Sequence, residues 1–204
     1  MRDLQENIAD FEYVAVMPTS LYGYARVLQT GNAEPIQIES ALVSHDFFRV
    51  LDVSPVLVRD FRDSDEHVGA APIVMVSDCV WRAQLESDPH IVGRIIRLNG
   101  QGYTVIGVMG RGVEFPRGVG FRVPPGVEAR VVERRKATFL QAIARGKPGV
   151  SHEHVAAKVD GLIRRLARQY PDAYSPSQQA CFGSPFARRC LPRRACMPCS
   201  RRAS

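Results

Sequence analysis

The sequence contains no hydrophobic run long enough to cross a membrane as a helix, although 45% of its 204 residues are apolar. A spanning helix needs about 20 consecutive apolar residues. The first residues, MRDLQENIADFEY, also lack the apolar stretch of a secretory signal peptide. We therefore expect neither a signal peptide nor a membrane anchor in the sequence as written, and we expect its apolar residues to build a folded core.

The body of the chain lacks net charge. The formal net charge of +6 comes from the last 24 residues, which hold six Arg and no acidic residue. Residues 1–180 contain 21 basic and 21 acidic side chains. Because nucleic-acid binding depends on a basic surface that neutralises phosphates, this balance argues against a nucleic-acid partner, and we expect none.

Cysteine is scarce in the body, where it occurs once, so the fold needs no disulfide. The other four cysteines lie near the C-terminus: Cys181, Cys190, Cys196 and Cys199. Four thiolates could bind zinc, and a small zinc-dependent enzyme is one alternative, but the second close pair of a zinc ribbon is missing. Residues 176–204 have no hydrophobic period, so we predict a disordered Arg-, Cys- and Pro-rich tail without a metal.

Motifs for metal or phosphate binding are also missing. His152 and His154 are two positions apart, whereas a metallopeptidase helix needs His at i and i+4. Gly107, Gly110 and Gly112 follow an apolar run, but no Lys-Ser/Thr pair follows them, which excludes a P-loop. We predict solvated histidines in a first helical turn and a turn-rich connection.

A third candidate is an acidic stretch that contains Asp60, Asp63, Asp65 and Glu66. A calcium loop would also need a central Gly and a bidentate Glu at position 12, so we predict a solvated acidic loop. Cys79 lies near Trp81 in an apolar setting, which favours an inert thiol. The sequence therefore predicts no catalytic, cofactor-binding or metal residues, and no enzyme.

Local patterns predict a strand and a helix in the first part of the chain. Alternating residues over 36–43 favour a strand, whereas residues 1–35 show little more than an apolar patch between positions 11 and 17. Ser44 is typical of an N-cap, and it predicts a short helix over residues 45–51. Phe47, Phe48 and Leu51 would face inward.

The middle of the chain predicts a strand over residues 72–76, then a helix that Ser77 caps. Asp88-Pro89 predicts one more helical turn. Asn99-Gly100 lies between apolar runs at 94–98 and 103–108, which is the strongest local signal for a hairpin. We expect Trp81 to be buried in one small core with three hairpin residues, Ile96, Leu98 and Val105.

The last structured part predicts a strand over residues 139–144 and a helix that begins after Ser151 and ends before Pro171. Six residues of this helix form one apolar stripe: Val155, Val159, Leu162, Ile163, Leu166 and Tyr170. The order of strands and helices predicts a mixed α/β unit.

Four blocks of the sequence follow known family patterns in the family's order. Residues 43–55 resemble V-S-x-x-F-F-x-V-L-G-V-x-P, and residues 73–81 resemble a V-V-x-L-S-x-x-x-W strand and helix. Residues 88–109 resemble D-P-x-x-V-G-x-x-I-x-L-(N/D)-G-x-x-Y-T-V-I-G-V-M, and residues 146–150 resemble L-K-P-G-V. Over residues 10–172 the chain resembles the MacB-like periplasmic core domain of MacB/FtsX-type ABC-transporter permeases, especially the duplicated permeases.

The resemblance implies an α+β fold with a porter-like mixed α/β subdomain and a smaller inserted α/β subdomain. We expect the core domain at residues 1–175, the insertion with its β-hairpin at 68–112, and the disordered tail at 176–204. The family implies a domain on the periplasmic side of the cell membrane, between the permease's membrane helices and served by a separate ATPase subunit. Its work would be mechanical: conformational coupling, or contact with exported substrates and partner proteins.

Two positions depart from the family pattern. The Gly of Leu-Gly-Val is replaced by Asp52, and the residues before Pro148-Gly149 are Arg145-Gly146-Lys147 instead of Leu-Lys. Because the sequence also holds no membrane helix, the resemblance predicts a truncated permease domain that transports nothing alone. The alternative is a stand-alone binding or adaptor module.

Overall fold

The computed structural model describes residues 9–18, 25–31, 34–53, 59–113, 115–128 and 140–169. The predicted tail with its four cysteines lies outside these ranges, as do Tyr170 and Pro171 at the end of the predicted helix.

The described residues form nine strands, three α-helices and two 3-10 turns. The strands are β1 (Phe11–Pro18), β2 (Arg26–Gln29), β3 (Ile36–Ile38), β4 (Ser40–Leu42), β5 (Ile73–Val76), β6 (Ile95–Leu98), β7 (Gln101–Val108), β8 (Phe121–Val123) and β9 (Leu140–Gly146). The helices are α1 (Phe47–Leu51), α2 (Asp78–Gln84) and α3 (His152–Gln169), with 3-10 turns at Asp63–Glu66 and Pro125–Glu128. This mixture confirms the predicted α+β class.

The strands belong to two sheets. β1 and β9 pair antiparallel, and the other seven strands follow the order β3-β2-β6-β7-β5-β8-β4. The sheet joins the predicted 68–112 insertion to strands outside it, since β6 pairs with both β7 and β2. The division into two subdomains stays a prediction.

The predicted hairpin is confirmed. β6 and β7 pair antiparallel along their length around Asn99-Gly100, and both turn residues have positive φ, 52° and 78°. Two positive φ values are what a two-residue type I′ turn requires. Asn99 Oδ1 also accepts the backbone N–H of Val27 at 2.8 Å. The turn residue therefore fastens the hairpin to β2 as well.

The single strand predicted over residues 36–43 is wrong. The chain breaks it at Glu39 into β3 and β4, which lie at opposite edges of the seven-stranded sheet. Edges that are one residue apart along the chain must lie close together in space, so the sheet curls until they meet. The carbonyl of Glu39 accepts the N–H groups of Gly120 (2.8 Å) and Phe121 (3.3 Å). These two bonds hold the break against β8.

The concave face of the curled sheet encloses the inner core. Its buried residues are Leu28, Ile38, Leu42, Val74, Val76, Val80, Leu85, Ile91, Ile96, Leu98, Tyr103, Val105, Val108, Phe121 and Val123. Ile96, Leu98 and Val105 share this core, as predicted. Trp81 packs against this same core, as predicted, but it lies at the edge and is half-buried. Its Nε1 donates to the carbonyl of Asp88 at 2.9 Å.

The opposite face of the sheet packs on β1 and α1 and forms the outer core. Its buried residues are Ala15, Met17, Ala41, Val43, Phe47, Phe48, Phe61, Ile73, Met75, Ile106, Met109 and Val119. The inward orientation predicted for Phe47 and Phe48 is confirmed, while Leu51 is half-buried. A third, separate cluster lies under α3, where Val159, Leu162 and Leu166 are buried and Phe11 packs against them.

The four helix starts predicted from the sequence have different outcomes. Ser77 and Ser151 are confirmed as caps, since their Oγ atoms accept the N–H groups of Val80 and His154, both at 3.2 Å. Ser44 is not the cap of α1: Asp46 takes that position, and Ser44 Oγ accepts the N–H of Val16 at 2.9 Å instead. Residues 88–93 form turns and no helix.

The closure of the sheet depends on a missing side chain at Gly120. A Cβ there would lie 2.3 Å from Cγ2 of Ile38 and 2.7 Å from Cγ2 of Val80. We predict that Gly120→Ala lowers the free energy of unfolding by about 1–3 kcal/mol, the usual cost of overpacking a core. Urea unfolding measures the change.

The matched control for Gly120 is Gly161→Ala. Gly161 is exposed in α3, and nothing lies within 4 Å of an added Cβ. Alanine there should raise stability by about 1 kcal/mol, because glycine is a poor helix former. If both variants were equally stable, the close approach of Gly120 to Ile38 and Val80 would be refuted.

Asp52 ends α1 in the left-handed region, with φ 57° and ψ 43°. Glycine, the residue of the family pattern, takes this conformation without steric cost. Arg145 on β9 donates to the carbonyl of Val50 from Nε (3.1 Å) and Nη2 (3.0 Å), and its Nη1 lies 3.5 Å from Asp52 Oδ2. The Asp52 side chain is 83% exposed, so its ion pair contributes little.

We therefore predict that Asp52→Gly raises the free energy of unfolding by about 0.5–1 kcal/mol. Glycine adopts the left-handed conformation without strain, and this gain exceeds the extra conformational entropy that glycine gives the unfolded chain. Asn99→Gly is the comparison, because Asn99 also has positive φ but bonds Val27 through its side chain. That variant should lose about 1 kcal/mol. Equal effects of the two substitutions in urea unfolding would contradict this interpretation.

Candidate functional site

The acidic stretch does not form a solvated loop, because the structure places part of it against the start of α1. Asp63 and Glu66 share one 3-10 turn, where positions i and i+3 lie on the same face. Glu66 Oε1 accepts the backbone N–H of His45 and lies 2.9 Å from its Nδ1. The other ring nitrogen, Nε2, is 3.4 Å from Asp46 Oδ2. The His45 ring therefore lies between two carboxylates.

The remaining acidic side chains have other partners. Asp65 receives two hydrogen bonds from Arg59, at 2.7 and 3.2 Å. Asp60 accepts the N–H of Phe61 at 2.8 Å. Glu66, Asp65 and Asp60 are all partly buried, and Asp63 alone of the four is largely exposed, at 77% of its side chain. The expectation of a solvated loop is thus wrong for three of the four residues.

The electrostatics follow from these contacts. The hydrogen bond that the His45 ring donates to the Glu66 carboxylate raises the pKa of His45; partial burial opposes this shift, and the charges of Glu66, Asp46 and Asp63 add to it. Burial raises the pKa of the Asp60 carboxyl. Burial also acts to raise the pKa of Asp65, but the hydrogen bonds from Arg59 and Arg62 bring it below its usual value. At a given pH, the imidazolium form of His45 is therefore more populated than that of a free histidine.

The donor atoms that could bind a metal come from this cluster. His45, Asp63 and Glu66 each offer one ligand atom, and these atoms all lie within 4.8 Å of one another. Imidazole and carboxylate ligands suit a divalent cation such as Zn²⁺. The hydrogen bonds already partner His45 and Glu66 without a metal, so the arrangement is explained as a charge cluster that joins α1 to the 3-10 turn.

Two arginines missed by the sequence analysis are buried on opposite faces of the sheet. Arg26 on β2 is 6% exposed and lies on the concave side. Its Nε donates to Ser40 Oγ (3.2 Å), and its Nη1 donates to the hydroxyl of Tyr103 (2.9 Å), over whose ring the guanidinium also lies. One side chain therefore links β2, β4 and β7 across the inside of the curl.

Arg122, the middle residue of β8, lies on the outer face and is 0% exposed. Its Nη2 donates to the carbonyl of Phe115 at 2.8 Å, and its Nη1 reaches that of Val119 at 3.4 Å. Nε has no hydrogen-bond partner, and no carboxylate lies within ion-pair distance in the described part of the chain. Burial lowers the pKa of Arg122 to about 10, so the group is still charged at neutral pH.

The other residues singled out from the sequence lie on separate elements. His154 Nε2 is 3.7 Å from Asp10 Oδ2, and the side chain of His152 lies outside the described part. Gly107 is buried within β7, whereas Gly112 has a φ of 83° in the following turn. Cys79 is half-buried on α2. None of the described helices has both the length and the apolar composition for crossing a membrane.

Comparison with known proteins fixes the family. The model of the MacB-like periplasmic core domain matches residues 1–162. The chain belongs to this family. No curated protein matched the sequence. The resemblance to the MacB-like periplasmic core domain, inferred from the four sequence blocks, is thereby confirmed, and so is the fold class.

Solved structures show the same fold at low sequence identity. The periplasmic region of MacB from Actinobacillus actinomycetemcomitans is 12% identical with a TM-score of 0.62, over 83% of this chain and 72% of that one. A domain assigned to a permease of Porphyromonas gingivalis is 17% identical with a TM-score of 0.60, over 84% and 72%. The extracellular domain of the ABC-type transporter YknZ from Gram-positive bacteria is 14% identical with a TM-score of 0.59, over 83% of each chain.

The His45 cluster predicts a pH dependence for this member of the family. Folding raises the pKa of His45, so the protonated side chain stabilises the fold. This stabilisation is fully present below the pKa of His45 in the unfolded chain, about 6.5. This contribution is lost as the pH rises through the raised folded value. We therefore expect the free energy of unfolding to fall from pH 6 upward, as measured in urea.

His45→Gln should remove that slope and cost about 1.5–3 kcal/mol at pH 6, the range for hydrogen bonds to charged groups. The groups that face His45 are Glu66, Asp46 and Asp63. The control is His90→Gln at an exposed position, which should keep the slope. An unchanged slope in the His45 variant would show that the cluster is not coupled to folding.

Proposed function

We propose that the chain is the extracytoplasmic domain of an ABC-transporter permease, and that it works without catalysis by coupling movement of membrane helices to contact with substrates or partner proteins. Membership of the periplasmic core domain family supports the transporter setting. In that setting its partners are the permease helices and an ATPase subunit, and its place is the periplasmic face of the cell membrane.

The observation that carries the proposal is the pairing of β1 with β9. Phe11 lies opposite Gly146, and the ladder continues where Lys147 N–H donates to the carbonyl of Asp10 at 2.8 Å. The Lys158 ammonium on α3 also contacts the Asp10 carboxylate. The first and last described strands are therefore held side by side. A domain inserted between membrane helices receives their movement through such a ladder.

A path leads from this ladder into the curled sheet. Arg145 on β9 donates twice to the carbonyl of Val50 at the end of α1. Phe47 and Phe48 of the same helix are buried in the outer core against β5 and β7. Displacement of β9 would thus move α1, and α1 rests on the sheet. This continuous packing supports coupling between the two sheets.

A disulfide lock in the complete transporter tests the coupling. Asp10→Cys and Lys147→Cys would be combined with the five native cysteines replaced by serine, and the neighbouring permease and ATPase genes would be expressed with them. Oxidation should reduce stimulated ATP hydrolysis at least tenfold, and a reductant should restore it. Each single cysteine variant is the control and should behave like the parent.

The stand-alone alternative makes the opposite prediction. If the chain bound no permease or ATPase subunit, and if the neighbouring genes encoded neither, the transporter assignment would be wrong. Full ATP hydrolysis with the lock closed would leave the family intact but refute the coupling role.

A further inference from the structure

Arg122 is a fully buried charged residue that lies among the apolar side chains of the outer core. Its register neighbours are Ala41 on β4 and Met75 on β5, and both belong to the outer core. A guanidinium is not deprotonated in proteins, so the fold encloses a permanent charge where the sheet packs against α1 and β1.

Residues 115–120, here named the strap, cover this charge. Phe115 and Val119 supply the carbonyls to which Arg122 donates. The Phe115 ring stacks on Phe47 of α1, with centroids 6.0 Å apart and an interplanar angle of 12°. The C-terminal end of the strap is fastened to the sheet, because Gly120 bonds the backbone of Glu39 and Ser77.

The closed strap leaves the hydrogen-bonding capacity of Arg122 partly unsatisfied. Two carbonyls replace part of the guanidinium's hydration, one of them at the long distance of 3.4 Å, and Nε remains without an acceptor. Taking an unpaired charge out of water is more costly than neutral hydrogen bonds repay, and well-packed apolar substitutes for buried charges are often more stable. Hydration of Arg122 therefore favours an opened strap.

We propose that the strap is a conformational latch: it opens locally in the folded protein, water reaches Arg122, and the charge of Arg122 sets how often this occurs. Opening separates Phe115 from Phe47 and so loosens the joint between the curled sheet and α1. The inner core stays closed, because Arg26 there has oriented partners.

Arginine-specific labelling of the native chain with phenylglyoxal tests the opening directly. Arg122 and Arg26 are matched, since both are buried on short strands of the same sheet, 0% and 6% exposed. Arg122 should react in native buffer at least tenfold faster than Arg26, and slower than the exposed Arg97. Equal rates for Arg122 and Arg26, appearing only with global unfolding, would overturn the proposal.

Hydrogen exchange of the Val119 amide, which bonds the carbonyl of Pro116 within the strap, tests the role of the charge. Arg122→Met keeps an apolar stem without charge and should slow this exchange at least tenfold, while the Val105 amide in the inner core changes by less than threefold. Arg122→Lys retains the charge and should exchange at least as fast as the parent. Faster exchange in Arg122→Met would mean that the hydrogen bonds only hold the strap shut, and the proposal would be wrong.

A carboxylate from within the chain is the competing explanation. Glu114 lies outside the described residues, and Glu114→Gln is the control for it. Under the proposal, this variant leaves the labelling rate of Arg122 unchanged within twofold. A rise of tenfold or more would show that the charge is already neutralised, which overturns the latch.

Discussion

β3 and β4 are separated by Glu39 alone, yet they are the outermost strands of a seven-stranded sheet. A short covalent link between two edges leaves the sheet no freedom to lie flat. Both cores follow from this closure, because the concave face encloses its own side chains together with Val80 and Leu85, and other elements must cover the convex face. β1 and α1 provide that cover. Gly120 makes the meeting of the edges sterically possible.

The two buried arginines give the faces of this sheet different mechanical properties. Arg26 is bonded to groups on two other strands, and a satisfied polar network rigidifies the structure around it. Arg122 is bonded to a loop and keeps an unsatisfied nitrogen, which makes its surroundings the place where the structure loosens first. A rigid curled sheet with a yielding joint suits a domain that passes movement between other parts.

Features with a local signal were predictable from the sequence. Asn99-Gly100 specifies its turn through two backbone angles, and Ser77 and Ser151 cap helices through bonds to residues three positions away. The break at Glu39 has no such signal, because alternation of apolar residues continues through it and the partners that separate the two strands are distant in sequence. β8 also lacks a local signal, because three residues, one of them Arg122, are too few to show a hydrophobic period.

The candidate site was predictable only in part. Asp63 and Glu66 could be singled out as members of an acidic stretch. His45 lies 18 or more positions earlier in the sequence, and no local pattern connects it to them. Glu66 and His45 meet because the chain returns over α1 before it enters β5. Spacing within a motif could not reveal a cluster whose members are joined by tertiary packing, and the same holds for Arg26 and Tyr103.

The pairing of β1 with β9 joins residues more than 120 positions apart, and this has a consequence for biosynthesis. β1 emerges from the ribosome among the first strands, while β9 follows only after the entire curled sheet has been translated. Closing so long a loop is slow compared with forming the hairpin. The curled sheet can therefore assemble first, with β1 waiting as an exposed edge that invites mispairing. Docking of β9 is the event that commits the nascent domain to its final topology.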